Sequence, residues 1–141
     1  MAKCNKQSYL INPIETLKWS SHKSYLKDLA AAGLPVVPTV WIKPGEESKV
    51  RLATGFGRRQ AFMKPSVGST SSGTLLFDVG GDNEKAIAHA AEQLSSQDEI
   101  LMQPFCPSIM EKEKGEFSVL LWDGAFSHGV RKVPVPGDYR A

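Results

Sequence analysis

The segment FMKPSVGSTSSGT, residues 62–74, contains the residues of this chain best suited to chemistry. Lys64 ends a strand-like run and stands at the start of a loop. The loop is rich in small hydrogen-bonding residues, namely Ser66, Gly68, Ser69, Thr70, Ser71, Ser72 and Gly73. Glycine lets backbone N–H groups approach an anion closely, and hydroxyls add further donors. The pattern favours a flap over phosphate groups, with Lys64 as a fixed positive charge. The loop alone leaves open a plain polar hairpin beside a solvated lysine.

The spacing of two glycines in this loop imitates a Walker A motif, but the match fails. Gly68 and Gly73 have the right separation, yet Thr74 stands where that motif has lysine. A strand pattern follows the loop, whereas a P-loop needs a helix whose N-terminus faces the phosphates. The sequence therefore excludes a P-loop NTPase.

Lys23 is a second candidate for binding an anion. The segment SSHKSYLKDLAAAG predicts a helix that begins at Ser20 or Ser21 and stops at Gly33. Lys23 would lie in its first turn, where the helix macrodipole makes a lysine mildly unfavourable. A bound anion would convert this misfit into a charge-assisted contact, typically worth ~1.5–3 kcal/mol. His22 is interpreted as an exposed residue of the same turn.

The elements that must position these lysines have clear local signals. Strands are predicted around 39–42, at 60–64 before the loop, at 74–79 after it, and at 99–105. A helix is predicted from Asp82 or Asn83 onward. Its apolar face is formed by Ile87, Ala90, Ala91 and Leu94. No element is assigned to residues 44–59.

A hairpin is predicted near the end of the sequence. Asp123 and Gly124 separate two strand patterns, and this pair is the strongest short hairpin signal because it suits a type I′ turn. Helices and antiparallel strands together indicate the α+β class.

Composition limits the function classes. The chain has 141 residues, 41% of them hydrophobic and 23% charged, as expected of one globular domain. Its net charge of +2 is too balanced to indicate nucleic-acid binding. Cys4 and Cys106 have neither a disulfide framework nor metal-ligand spacing. No leader and no membrane span is recognised, so a cytoplasmic protein without a membrane or nucleic-acid partner is expected.

The ordered succession of these motifs resembles the ATP-grasp superfamily, in particular prokaryotic glutathione synthetase and related carboxylate–amine ligases. The resemblance covers residues 9–140. NPIETLKWSSHKSYL is similar to the approach to the first ATP-binding lysine, which would be Lys23. FMKPSVGSTSSGT is similar to the strand of the second lysine, Lys64, and the flap after it.

Two further motifs extend the resemblance. EILMQPF is similar to the hinge strand that meets the adenine edge, at Gln103, Pro104 and Phe105. In GEFSVLLWDGAFSHGVRKVPVPGDYR, Glu116 falls where an acid holds the ribose hydroxyls. Arg131 and Arg140 fall where catalytic basic residues face phosphate or acyl phosphate. Lys132 neighbours Arg131 on the strand and would face the other side.

The resemblance implies a fold and an activity. Antiparallel sheets with packed helices would hold ATP between two subdomains, at about 20–105 and 106–141. The expected function is the ATP-binding portion of an ATP-dependent carboxylate–amine ligase that acts through an acyl phosphate. Its substrates would be a small carboxylate and an amine, and its basic residues would stabilise phosphoryl charge.

The sequence departs from the family at the magnesium ligands. The family places them beyond the equivalent of Arg140, and no earlier acidic cluster has their spacing, so no metal ligand is predicted. Magnesium is expected only together with ligands outside this sequence. The chain is therefore expected to be part of a longer enzyme and inactive alone. The alternative is a non-catalytic ATP-binding or regulatory module derived from an ATP-grasp enzyme.

Overall fold

The computed structural model describes residues 10–134. The chain divides into two compact units, and the boundary falls between Phe105 and Cys106. Among the residues described, no helix is long and apolar enough to cross a membrane.

The first unit is built on one antiparallel sheet of four strands in the order β1-β4-β2-β3. Its elements, in chain order, are α1 Ile14–Ser21, α2 Tyr25–Ala31, β1 Val40–Ile42, a 3-10 helix Glu47–Phe56, β2 Gln60–Pro65, β3 Leu75–Asp78, α3 Asn83–Leu94 and β4 Ile100–Pro104. The strand predictions and the α+β class are confirmed.

The two faces of this sheet differ in character. Met63 of β2 lies opposite Met102 of β4, and both are fully buried. Their face packs on the apolar sides of α3 and the 3-10 helix, which contribute Ala86, Ala90, Leu94, Val50 and Ala53 to the core. Because side chains alternate along a strand, Lys64 and Gln103 must lie on the other face. The core therefore fixes the sheet from one side, and on the other face Lys64 and Gln103 share the surface with the buried side chains of Phe62 and Leu101.

The predicted helix at residues 20–33 is wrong at its beginning. α1 ends at Ser21, His22 has an extended backbone (φ −113°, ψ 126°), and α2 begins only at Tyr25. The Lys23 amide donates to Ser66 O across 2.8 Å instead of to a carbonyl one turn back, so the helix is interrupted by a tertiary contact. The predicted stop is confirmed, since Gly33 has φ +78°.

α3 begins as predicted, because the Asp82 carboxylate accepts from the backbone N–H of Glu84 at the helix start. The apolar face is confirmed at Ala90 and Leu94, but Ala86 is buried and Ala91 is exposed. The helix is thus rotated slightly from the predicted phase, because Ala86 packs into the core and Ile87 only borders it.

The second unit contains a 3-10 helix, Pro107–Met110, and a two-stranded sheet of β5 Glu116–Trp122 and β6 Ala125–Lys132. Asp123 and Gly124 both have positive φ, 48° and 76°, as a type I′ turn requires. The hairpin prediction is confirmed.

Candidate functional site

Lys64 and Gln103 form a polar pair on the sheet face opposite the core. Lys64 Nζ lies 3.3 Å from Gln103 Oε1, and Gln103 Nε2 donates to Thr39 Oγ1 across 3.0 Å. Gln103 is buried, so these contacts fix its amide and aim its oxygen at the ammonium group. The sequence predicted both residues as site residues, and the fold brings them together from adjacent strands.

An apolar wall borders this pair. The rings of Phe62 and Phe105 pack edge to face with centroids 5.3 Å apart, and Lys64 Nζ lies 5.4 Å from the Phe62 centroid. The Phe105 N–H donates to Gln60 O across 2.9 Å. Half-buried Pro104 lies between Gln103 and Phe105 and ends β4. The segment at Gln103–Phe105 therefore joins a buried strand to an aromatic edge beside a cation.

Lys23 lies at the entrance of the serine–glycine loop. Its Nζ donates to Pro65 O across 2.9 Å and to Gly68 O across 3.1 Å. Partial burial lowers the pKa of Lys23. The prediction that Lys23 lies in a first helical turn is wrong, because α2 begins two residues later. The Lys23 ammonium group instead donates to two backbone carbonyl oxygens.

The serine–glycine loop, residues 66–74, is held at both ends. At its start, Ser66 is fully buried. At its end, Gly73 O lies 3.0 Å from His89 Nε2, and the Gln93 side chain occupies the space that a Cβ on Gly73 would need. Gly73 also has φ +68°, a left-handed conformation that favours glycine, whereas the end of the flexible Gln93 side chain could move aside.

The tip of this loop presents hydroxyls outward. Thr70 and Ser71 both have left-handed backbones, with φ 54° and 59°. Within residues 10–134, the hydroxyls of Ser69, Ser71 and Ser72 make no hydrogen bond to protein, whereas Thr70 Oγ1 donates to Ser69 O across 2.7 Å. The tip therefore has donors available to a ligand.

Sequence reasoning missed the groups that hold the start of the loop. His22, predicted to be exposed, is half-buried, and its Nε2 lies 3.2 Å from Asp98 Oδ1. Asp98 is also 3.3 Å from Ser66 Oγ, and Gln97 Oε1 accepts from Val67 N across 3.1 Å. No local pattern marks Gln97 and Asp98, which lie in the connection between α3 and β4.

Glu116 and Arg131 belong to the second unit. Glu116 forms an ion pair with Lys132 across 2.6 Å, and Arg131 Nη1 donates to Glu113 O across 3.2 Å. Glu116 pairs with Lys132 in the register and Phe117 with Arg131, so Arg131 and Lys132 do lie on opposite faces. Arg140 and Cys4 lie outside the described residues.

Magnesium does not fit the donors of the part of the chain described. Residues 10–134 contain no group of three or more His, Cys, Asp or Glu side chains that could hold a metal ion. Hard cations need several oxygen ligands.

Cys106 is exposed, with its Sγ 3.0 Å from Ser108 Oγ.

Comparison with known proteins identifies the class. The chain is 32% identical over 139 residues to the cycloserine biosynthesis protein DcsG of Streptomyces lavendulae, and this match covers 94% of the chain and 46% of DcsG. The crystal structure of D-cycloserine synthetase DcsG matches with a TM-score of 0.82 and 31% identity, over 94% of this chain and 45% of that one.

A more distant structure shares the fold alone. D-alanyl-alanine synthetase A from Vibrio cholerae matches with a TM-score of 0.57 and 12% identity, over 86% of the chain and 38% of that enzyme. No family model matches the sequence. The fold is that of the ATP-grasp ligases, so the predicted resemblance to this superfamily is confirmed.

Within that class, the particular likeness is to DcsG, and the chain spans about half the length of this relative, 46%. The narrower resemblance to glutathione synthetase stays a prediction. So does the interpretation of residues 20–105 and 106–141 as two ATP-grasp subdomains.

Proposed function

We propose that this chain is the ATP-binding portion of an ATP-dependent carboxylate–amine ligase. The observation that carries the proposal is the arrangement around the end of β2. There Lys64 and Gln103 lie beside the rings of Phe62 and Phe105, and Lys23, from a third segment, bonds to the start of the serine–glycine loop that follows Lys64. The likeness to the D-cycloserine synthetase DcsG supports the same class.

Each group at this edge suits one part of a nucleotide. The Lys64 and Lys23 ammonium groups and the hydroxyls of the loop tip would bind the triphosphate, because cations and hydrogen-bond donors stabilise phosphate oxygens. The aromatic wall of Phe62 and Phe105 would border adenine. Since the Phe105 N–H is already bonded to Gln60 O, other backbone groups near Gln103–Phe105 would meet the adenine edge.

For the second unit we propose the two roles that the family resemblance implies. Glu116 would accept the ribose hydroxyls, and Arg131 would face phosphate or acyl phosphate. Both now bond within their own unit, and the Glu116 carboxylate is half exposed and pairs with Lys132 through Oε1, which leaves its second oxygen as an acceptor for a ribose hydroxyl. Arg140 stays a further candidate for the same task as Arg131.

In the complete reaction, ATP would phosphorylate a carboxylate and an amine would attack the acyl phosphate to form an amide. The basic residues would act by stabilising charge on the transferred phosphoryl group rather than as acids or bases. Magnesium would need ligands from outside residues 10–134. A cytoplasmic location remains a prediction.

The test is ATP affinity, measured by titration calorimetry on the full 141-residue chain. We expect Lys64→Ala to weaken binding by ~1.5–3 kcal/mol, the range for a charge-assisted contact. Lys85→Ala is the matched control, since Lys85 is 87% exposed at the start of α3 and removal of its charge there should leave affinity unchanged. Unchanged affinity in a folded Lys64→Ala protein, or no binding by the unmodified chain, would refute the proposal.

A further inference from the structure

Three chain segments that are distant in sequence meet at a single carboxylate oxygen. Asp98 Oδ1 lies 3.2 Å from His22 Nε2, 3.3 Å from Ser66 Oγ and 2.9 Å from the backbone N of Glu99. His22 belongs to the turn between α1 and α2, and Ser66 begins the serine–glycine loop. Asp98 thereby connects the turn that carries Lys23 to the loop whose carbonyl groups accept hydrogen bonds from Lys23.

The hydrogen bonds of His22 fix the direction of its ring. The Ser24 N–H donates to His22 Nδ1 across 3.2 Å, so Nδ1 is an acceptor there and Nε2 carries the proton that faces Asp98. The bond from His22 is also the main reason why the pKa of Asp98 lies below the ordinary aspartate value. The ring is thus a bridge between the turn and the carboxylate.

The start of the loop, residues 65–68, is held from two sides; we refer to it as the loop base. On one side, Lys23 bonds to Pro65 O and Gly68 O through Nζ and to Ser66 O through its amide. On the other, Gln97 Oε1 accepts from Val67 N and lies 3.1 Å from Ser66 Oγ. Ser66 has no exposed surface whereas Val67 is 49% exposed, so the loop base is packed at Ser66 and held by hydrogen bonds beyond it.

We infer that Asp98 and His22 are positioning residues that hold Lys23 and the loop base in one fixed arrangement. The expected consequence is that this arrangement sets the geometry in which triphosphate is bound, and that part rests on the proposed function. Neither residue has to touch the nucleotide. Asp98 acts through Ser66 and His22, and His22 acts through the turn that carries Lys23.

This role predicts a local effect in the ligand-free protein. Because the Asp98 side chain is 77% exposed, we expect Asp98→Ala to speed amide hydrogen exchange at Val67 and Lys23 by about two- to fivefold, the range for an exposed charged contact. Asp98→Asn keeps an acceptor oxygen for the His22, Ser66 and Glu99 donors and should restore most of the protection. Glu92→Ala is the control, because Glu92 is an exposed carboxylate on α3 whose removal should leave both amides unchanged.

A second measurement connects this arrangement to the nucleotide. In Asp98→Ala, ATP affinity should fall by about two- to fivefold, while the urea midpoint of the whole chain should stay close to that of Glu92→Ala. Asp98→Asn should recover affinity in parallel with exchange protection. That parallel recovery distinguishes positioning from a general loss of stability.

The two proposals fail separately. If the unmodified chain binds no ATP, the proposed function fails, and exchange at Val67 and Lys23 still tests the positioning role. If Asp98→Ala leaves both amides protected, or if Asp98→Asn is as damaging as Asp98→Ala, the positioning role is wrong even in a protein that binds ATP. If exchange changes as expected but affinity does not, the link between the loop base and the nucleotide is wrong.

Discussion

The sheet of the first unit and the hairpin of the second are both antiparallel, but they differ sharply in burial. In β4, Ile100 and Met102 have no exposed surface and Leu101 has 1%. In the hairpin, Phe117, Trp122 and Phe126 are 63–68% exposed. The sheet is covered by α3 and a 3-10 helix, whereas the hairpin strands pair only with each other in the part of the chain described.

This difference in burial means that the candidate site residues of the two units are held in place to different degrees. An isolated two-stranded hairpin is only marginally stable in water, whereas a larger sheet that packs against helices is stable by itself. Lys64 and Gln103 stand on the backed sheet, with Gln103 itself buried. Glu116 and Arg131 stand on the exposed hairpin and bond within their own unit. The first unit therefore places its candidate groups on a packed sheet, while those of the second stand on a hairpin that is largely exposed.

The largest expected effect tests where the stability resides. Ile100→Ala should lower the free energy of unfolding by ~2–5 kcal/mol, because it leaves a cavity in the core, whereas Val119→Ala in the hairpin should change it by less than about 0.5 kcal/mol. Urea denaturation followed by circular dichroism measures both. If Ile100→Ala does not fold, Ile100→Val should cost ~0.5–1.5 kcal/mol. Equal costs at Ile100 and Val119 would contradict the contrast.

Two ion pairs give a second, smaller test. Glu99 is 6% exposed and pairs with Lys27 across 2.7 Å, while Glu116 is about half exposed and pairs with Lys132. Glu99→Gln should cost ~1–3 kcal/mol, since it weakens a charged hydrogen bond at a buried position. Glu116→Gln should cost ~0–1 kcal/mol, because exposed pairs contribute little. The same denaturation assay measures both changes in the free energy of unfolding. A larger destabilisation by Glu116→Gln than by Glu99→Gln would contradict the comparison.

Acid should have the smallest effect, and it should act on the first unit. The pKa of Asp98 is lowered, chiefly by the His22 hydrogen bond, so its folded state binds protons less readily than its unfolded state. Its contribution to stability is therefore present above the ordinary aspartate pKa of about 3.9 and is lost as pH falls through the lower folded value. Asp98→Asn should flatten the loss of stability below about pH 4, and Glu92→Gln should not. Identical acid profiles for Asp98→Asn and the unmodified chain would contradict this.

Much of the fold was predictable because its signals are local. Asp123-Gly124 defines the hairpin turn through two positive φ values, Asp82 caps α3 through its own carboxylate, and Gly33 ends α2 with φ +78°. Short apolar runs, two of them bounded by proline, marked the strands for the same reason. The candidate lysines could also be chosen from sequence, since residue type and position at a strand end or beside a helix are visible there.

The structure alone decided how these pieces are joined. The predicted helix is interrupted at His22 because its ring bonds to Asp98, 76 residues away, and Lys23 turns to Pro65, 42 residues away. Residues 47–56 form a 3-10 helix that no local signal indicated, with Val50 and Ala53 packed in the core. Local propensities of a few tenths of a kcal/mol per residue cannot report such contacts. Packing and long-range hydrogen bonds outweigh them, and these depend on chain segments that a local pattern does not include.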